Sequence, residues 1–123
     1  MKIVITTVAP NIELVVDPRF GRGAYLLVVD PDTLEWQAHA NPGVNASGGA
    51  GILATQFVTE HQVDAVISGD FGPNAFDALS AAGVAMYLLG ESRTAQDVIV
   101  RFKAGQLERV GTPTNSGHHS TRS

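Results

Sequence analysis

Apolar residues along the chain fall into short runs of β-type spacing and longer stripes of helical spacing. Residues 3–6 (IVIT) form a β-branched run that predicts a buried first strand, and residues 24–29 (AYLLVV) predict a second. Leu34, Trp36 and Ala38 alternate with Glu35, Gln37 and His39, which predicts a one-sided third strand with His39 on its solvated, polar face. Between the second and third runs, Asp30-Pro31-Asp32-Thr33 carries type I turn chemistry, so the two strands should form an antiparallel hairpin.

Ala50, Leu53, Ala54, Phe57, Val58 and His61 share one helical face, predicting a first helix over residues 50–61. Residues 65–68 (AVIS) predict a short buried strand. Pro73 then opens a second helix, and Gly83 lies just past its end. Residues 84–89 predict the last core strand. Thr94 and Asp97 have capping-box spacing before the stripe Ala95, Val98, Ile99 and Phe102, and Gly105 stops that third helix.

The element order is therefore β-β-β-α-β-α-β-α. A hairpin followed by α-crossovers predicts an α/β fold: a mixed five-stranded sheet, later strands parallel to the first, flanked by three helices on both faces. Two irregular stretches, residues 9–23 and 41–49, interrupt the pattern. From residue 111 onward (GTPTNSGHHSTRS) no apolar periodicity remains, which predicts one domain over residues 1–110 and a flexible polar tail over 111–123.

Composition narrows the chemistry. A length of 123 residues suits one domain that needs no disulfide or structural metal to build a core. The net charge of −4 argues against general nucleic-acid binding, which needs a basic face. The absence of cysteine removes thiol catalysis, zinc–thiolate sites and thiolate-held iron–sulfur clusters. No apolar run is long enough for a membrane span, and residues 1–5 lack signal-peptide features, so a soluble cytoplasmic protein is expected.

Parallel strands send their following loops to one edge of the sheet. The loops after Thr6, Ser68 and Leu89 should gather there, and the glycine-rich start of the first helix can approach it. Helix starts at Gly48-Gly49 and Gly72-Pro73-Asn74 offer backbone N–H donors, and Arg19 and Arg22 flank Phe20 in the first loop. These groups suit an anion. Each glycine also has an ordinary use in a turn or helix end, and each arginine in a solvated charge.

Several of these segments together resemble a known family. Asp17-Pro-Arg-Phe-Gly-Arg22 precedes an apolar strand ending in Asp30, and Asn41-Pro42 precedes Ser47-Gly-Gly-Ala-Gly51. Val63-Asp64-Ala-Val-Ile-Ser-Gly69, Gly72-Pro-Asn-Ala-Phe76 and Leu79-Ser-Ala-Ala-Gly-Val84 follow in order. Over residues 1–110 the chain resembles the dinitrogenase iron–molybdenum cofactor biosynthesis family (NifX-like), most of all its small molybdenum–copper orange-protein group. The resemblance implies a ribonuclease H-like fold and a non-enzymatic carrier of an anionic molybdenum–copper sulfide cluster, or a related molybdenum–iron–sulfur cluster. A cluster that brings its own sulfide can be held non-covalently by N–H donors, guanidinium groups and apolar walls. Arg19, Phe20, Arg22, Asn41, Gly48, Gly49, Gly72 and Asn74 are the candidates. The resemblance also implies cluster-assembly or acceptor proteins as partners, MinD-type ATPases among them, and neither nucleic acid nor membrane.

Other readings remain open on the residues alone. The site could take another anion, a nucleotide or a phosphate ligand. A ribonuclease H-like hydrolase needs converging carboxylates, one from the first strand, and Ile3-Val-Ile-Thr-Thr-Val has none; Asp70 and Glu60 do not complete the set. Ser47 and Ser68 have no evident histidine partner for nucleophilic catalysis. His39, His118 and His119 are weak metal-ligand candidates. His61 reads as a structural residue in the last helical turn, where the dipole favours a cation.

Overall fold

The structure is a computed structural model and describes residues 1–8, 16, 24–42 and 50–111. Eight elements follow the expected order: β1 (Ile3–Thr7), β2 (Tyr25–Val29), β3 (Trp36–Ala40), α1 (Ala50–Glu60), β4 (Ala65–Ser68), α2 (Pro73–Ala81), β5 (Ala85–Leu88) and α3 (Ala95–Lys103). The strands form one mixed sheet in the order β3-β2-β1-β4-β5. β2 is antiparallel to β1 and β3, while β4 is parallel to β1 and β5. This is the α/β architecture that the element order predicted, in agreement with the ribonuclease H-like fold that the resemblance implied.

The period of two in the strands divides the core into two layers. Val4, Leu26, Val66 and Met86 face α1 and α2, where they meet Ala54, Phe57, Val58, Ala75 and Leu79. Ile3, Ile5, Leu27, Val29, Ala65 and Ile67 face α3, where they meet Ala95, Val98 and Ile99. β1 lies between two strands and two helical layers, so all five of its residues are buried, as a β-branched run without alternation implies.

All three helices end alike. Gln62, Gly83 and Gly105 adopt left-handed backbone, with φ of 57°, 76° and 71°. In each case the next residue's N–H reaches back five positions: Val63 to the Val58 carbonyl at 3.2 Å, Val84 to Leu79 at 3.0 Å and Gln106 to Arg101 at 2.9 Å. These are Schellman caps, and the two glycines were legible as helix stops. At Gln62 the same geometry is built without glycine, so the helix ends at Glu60, one residue before the expected His61.

The hairpin turn also departs from expectation. Asp30 Oδ1 accepts from the Asp32 N–H at 2.8 Å and from the Thr33 N–H at 3.2 Å. Leu34 then turns back with φ 67° and is exposed, so β3 begins at Trp36, beyond the Leu34 start expected from the alternation. Thr94 caps α3 as expected, its Oγ1 accepting from the Asp97 N–H at 3.1 Å. Asp97 Oδ2 accepts from the Arg93 N–H at 3.2 Å, one residue earlier than a standard capping box. No helix among the described residues is long and apolar enough to cross a membrane.

Candidate functional site

Strand register determines which loops share an edge. Thr7 pairs with Tyr25, and Tyr25 pairs with Ala40, so β3 ends at the same edge of the sheet as the carboxyl end of β1, with β2 between them. The Asn41 N–H donates to the Ala24 carbonyl at 3.1 Å and extends that row. At the opposite edge Val63 closes α1, and the Asp64 N–H reaches the Lys2 carbonyl at 2.8 Å. The start of α1 therefore lies on the same edge as the loops after β1, β4 and β5. The approach of the first helix, left open by the sequence, is settled by this topology.

At that edge the connections after β4 and β5 leave in opposite directions, toward α2 on one face of the sheet and α3 on the other. Such a divergence opens a crevice beyond the strand ends, the usual ligand position in open α/β sheets. Here the crevice is a cavity of about 660 Å³, lined by Gly69 after β4 and by Leu88, Leu89, Gly90, Ser92 and Arg93 at the end of β5. Val16 closes one side: it bridges to Thr7, and its N–H donates to the Arg93 carbonyl at 2.9 Å.

The two helices that follow these connections differ in electrostatics at their starts. α3 has Thr94 as its cap and Asp97 in its first turn, so its positive end is already met by a carboxylate. α2 starts from Gly72 with Pro73 at its first position, no side-chain cap and no acidic residue in its first turn. Its N-terminal N–H groups are the better anion donors of the two. Phe71, immediately before Gly72, is fully buried in the core layer that faces α1 and α2. Arg93 adds an exposed guanidinium and Glu108 a carboxylate, so the described lining carries one charge of each sign. Ser92 is 7 % exposed, and its buried Oγ has no hydrogen-bond partner among the described residues.

The sequence-named candidates are distributed unevenly. Gly72 and Asn74 stand at the start of α2, Gly72 half-buried and Asn74 exposed. Asn41 is at the same edge but is only 2 % exposed, in the hairpin end. Arg19, Phe20, Arg22, Gly48, Gly49, His118 and His119 lie outside the described residues. Gly90, Ser92 and Arg93 were missed, although the stretch Gly90-Glu-Ser-Arg-Thr94 directly follows a core strand and carries both a cation and a hydroxyl.

His39 requires a correction. It is half-buried on the α1 side of β3, not solvated, because α1 covers the face that the alternation marked as polar. Its ring centre lies 5.1 Å from Phe57 and 4.9 Å from His61. Burial, with a smaller contribution from the His61 charge, holds its imidazole below the ordinary value of 6.5. His61 instead makes the structural contact expected of it, through Nδ1 and the Phe57 carbonyl at 2.9 Å. Among the described residues no three His, Asp or Glu side chains gather closely enough to hold one metal ion.

Comparison with solved structures agrees with this architecture. The chain is 35% identical to the apo orange protein of Desulfovibrio gigas, with a TM-score of 0.87, covering 93% of this chain and 96% of that one. It is 30% identical to a putative NifB protein from Thermotoga, with a TM-score of 0.79, covering 93% and 97%. A search of curated proteins returned no match. The sequence model of the family described as dinitrogenase iron–molybdenum cofactor matches residues 1–105, and the chain belongs to that family.

Proposed function

We propose that this protein is a carrier: it binds an anionic molybdenum-containing metal–sulfur cluster, with copper as the second metal, and hands it on without turning it over. The observation that carries the reading is the crevice where the loops after β4 and β5 diverge, with Gly69 on the connection that leads to the uncapped start of α2, on a chain with no cysteine. A cluster bound there is held by N–H donors, guanidinium groups and apolar walls, its sulfide ligands travelling with it. Arg93 and Glu108 offset each other on the described lining, so the excess positive charge is assigned to Arg19 and Arg22. Phe20, Asn41, Gly48, Gly49, Gly72 and Asn74 complete the proposed binding set. Family membership and likeness to the orange protein support the class of cargo.

The partners of this reading are proteins that assemble or accept clusters, MinD-type ATPases among them, in the cytoplasm. A ribonuclease H-like nuclease reading lacks support, because β1 ends in Thr6 and Thr7 where such an enzyme needs a carboxylate.

The test is reconstitution of the apo protein with tetrathiomolybdate and copper, followed by desalting, metal analysis and a visible absorption spectrum. Retained molybdenum with a sulfide-to-metal charge-transfer band supports the carrier. Loss of all molybdenum, together with retention of a nucleotide or phosphate in a parallel experiment, replaces it with a generic anion-binding module.

A further inference from the structure

His39 stands one residue before the end of β3, and His61 directly follows α1. Their rings meet across the two elements at 4.9 Å, inclined at 60°. Phe57 fills the contact, stacked on His61 at 4.0 Å and edge-on to His39 at 5.1 Å. The Phe57 carbonyl can only accept, so Nδ1 of His61 carries a proton and donates it. Nε2 of His39 is buried with no hydrogen-bond partner among the described residues. The packing therefore accommodates a neutral His39. A proton on its Nε2 would sit in an apolar contact, without an acceptor among the described residues, beside a second imidazole.

We propose that the His39–Phe57–His61 contact is a proton-sensitive latch between β3 and α1, closed while His39 is neutral and opened when acid protonates it, and that opening weakens the hold on the cargo. The first half stands on the packing alone; the second rests on the carrier reading. The coupling is local, since β3 leads directly into Asn41 and α1 directly follows Gly48 and Gly49, all in the proposed binding set. Of the groups packed against His39, α1 contributes apolar Phe57 and titratable His61, and β2 places apolar Leu26 opposite it in register. Among the described residues, the charge that bears on His39 is that of His61. Burial and that charge both favour the neutral ring, so the unfolded or opened chain takes up the proton first. Stability is complete above the ordinary value of 6.5 and falls as pH drops below it toward the folded value.

The test begins with apo protein carrying His118→Ala and His119→Ala, which leaves two imidazoles to observe of the four. In an NMR titration His39 is expected to change charge below 6.5. Amide-exchange protection of β3 should fall with acid by up to about tenfold per pH unit, the limit for one proton. In His39→Phe, or in His39→Leu should the larger ring not fit, that acid-dependent fall should disappear. A His39 that titrates at or above 6.5, or an unchanged fall in the variants, overturns the latch. The second arm compares molybdenum retention by reconstituted wild type and His39→Phe on mild acidification. Preferential loss from wild type supports the coupling; equal loss means that acid acts on the cargo and overturns it. Absence of uptake at every pH defeats the carrier reading and with it the coupling, while the titration still decides the latch.

Discussion

Thr6 Oγ1 and Ser68 Oγ lie 3.2 Å apart, fully buried, and join the carboxyl ends of β1 and β4 by their side chains. Two adjacent parallel strands thus finish in paired hydroxyls at the edge where the loops diverge. A hydrogen bond of this kind contributes about 0.5–1.5 kcal/mol net. Ser68→Ala is expected to lower stability within that range. Thr6→Val combined with Ser68→Ala should cost less than the sum of the single changes. Urea denaturation of the four proteins in a double-mutant cycle checks this; strict additivity would show that the hydroxyls act independently.

Gln62 holds a left-handed backbone at the end of α1, where α2 and α3 use Gly83 and Gly105. A residue with a side chain pays for that conformation by about 1–2 kcal/mol, a cost glycine escapes. Glycine also loses more freedom on folding, so the net gain is smaller. Gln62→Gly is expected to raise stability by about 1 kcal/mol and the melting temperature by a few degrees. Unchanged or lowered stability in thermal unfolding would contradict the assigned cap.

Asp30 accepts two backbone hydrogen bonds, from Asp32 and then Thr33, and these hold its carboxyl below the ordinary value of 3.8. A carboxyl depressed in the folded state contributes stability above its unfolded value and loses it as pH falls through the folded value. Carbonyl-detected NMR should find Asp30 titrating below 3.8. Asp30→Asn keeps an oxygen acceptor for the turn but has no charge to lose, so the acid limb of its stability profile should be shallower than that of wild type. Identical acid limbs would remove Asp30 from the account.

Cargo uptake should respond to arginine and not to the tail histidines. Loss of a charge-assisted contact typically costs about 1.5–3 kcal/mol, or ~10–150-fold in affinity. Arg22→Ala is expected to weaken retention of molybdenum and copper within that range, while His118→Ala with His119→Ala leaves it unchanged. Arg93→Ala should weaken retention less, because Glu108 shares its cavity. Loss of the cargo in the double-histidine variant with retention in Arg22→Ala would move the site to the tail.

Much of the architecture was legible in the order of the residues, because its signals are local. The all-buried run of β1, the proline at the start of α2, Thr94 before α3 and the glycines after α2 and α3 each act within one or two turns of chain. Period-two and helical stripes then separate the faces of each element, and the element order implies the sheet. Where the local signal was missing, the reading slipped: Gln62 caps α1 without glycine, and Leu34 turns left-handed inside an apparent alternation.

What only the tertiary structure decided depends on residues far apart in the chain. Whether a polar strand face meets water depends on what packs over it, and α1 lies over His39, turning an expected surface group into a half-buried one beside His61. The crevice arises because the connection after β4 goes to one face and that after β5 to the other, which brings Gly69 to Gly90 and Arg93. Register likewise sets Asn41 and the start of α1 on the same edge as Thr7 and Ser68. Local sequence determines the elements through backbone and side-chain sterics. The site belongs to the spaces between their ends, which exist only after the sheet has been assembled.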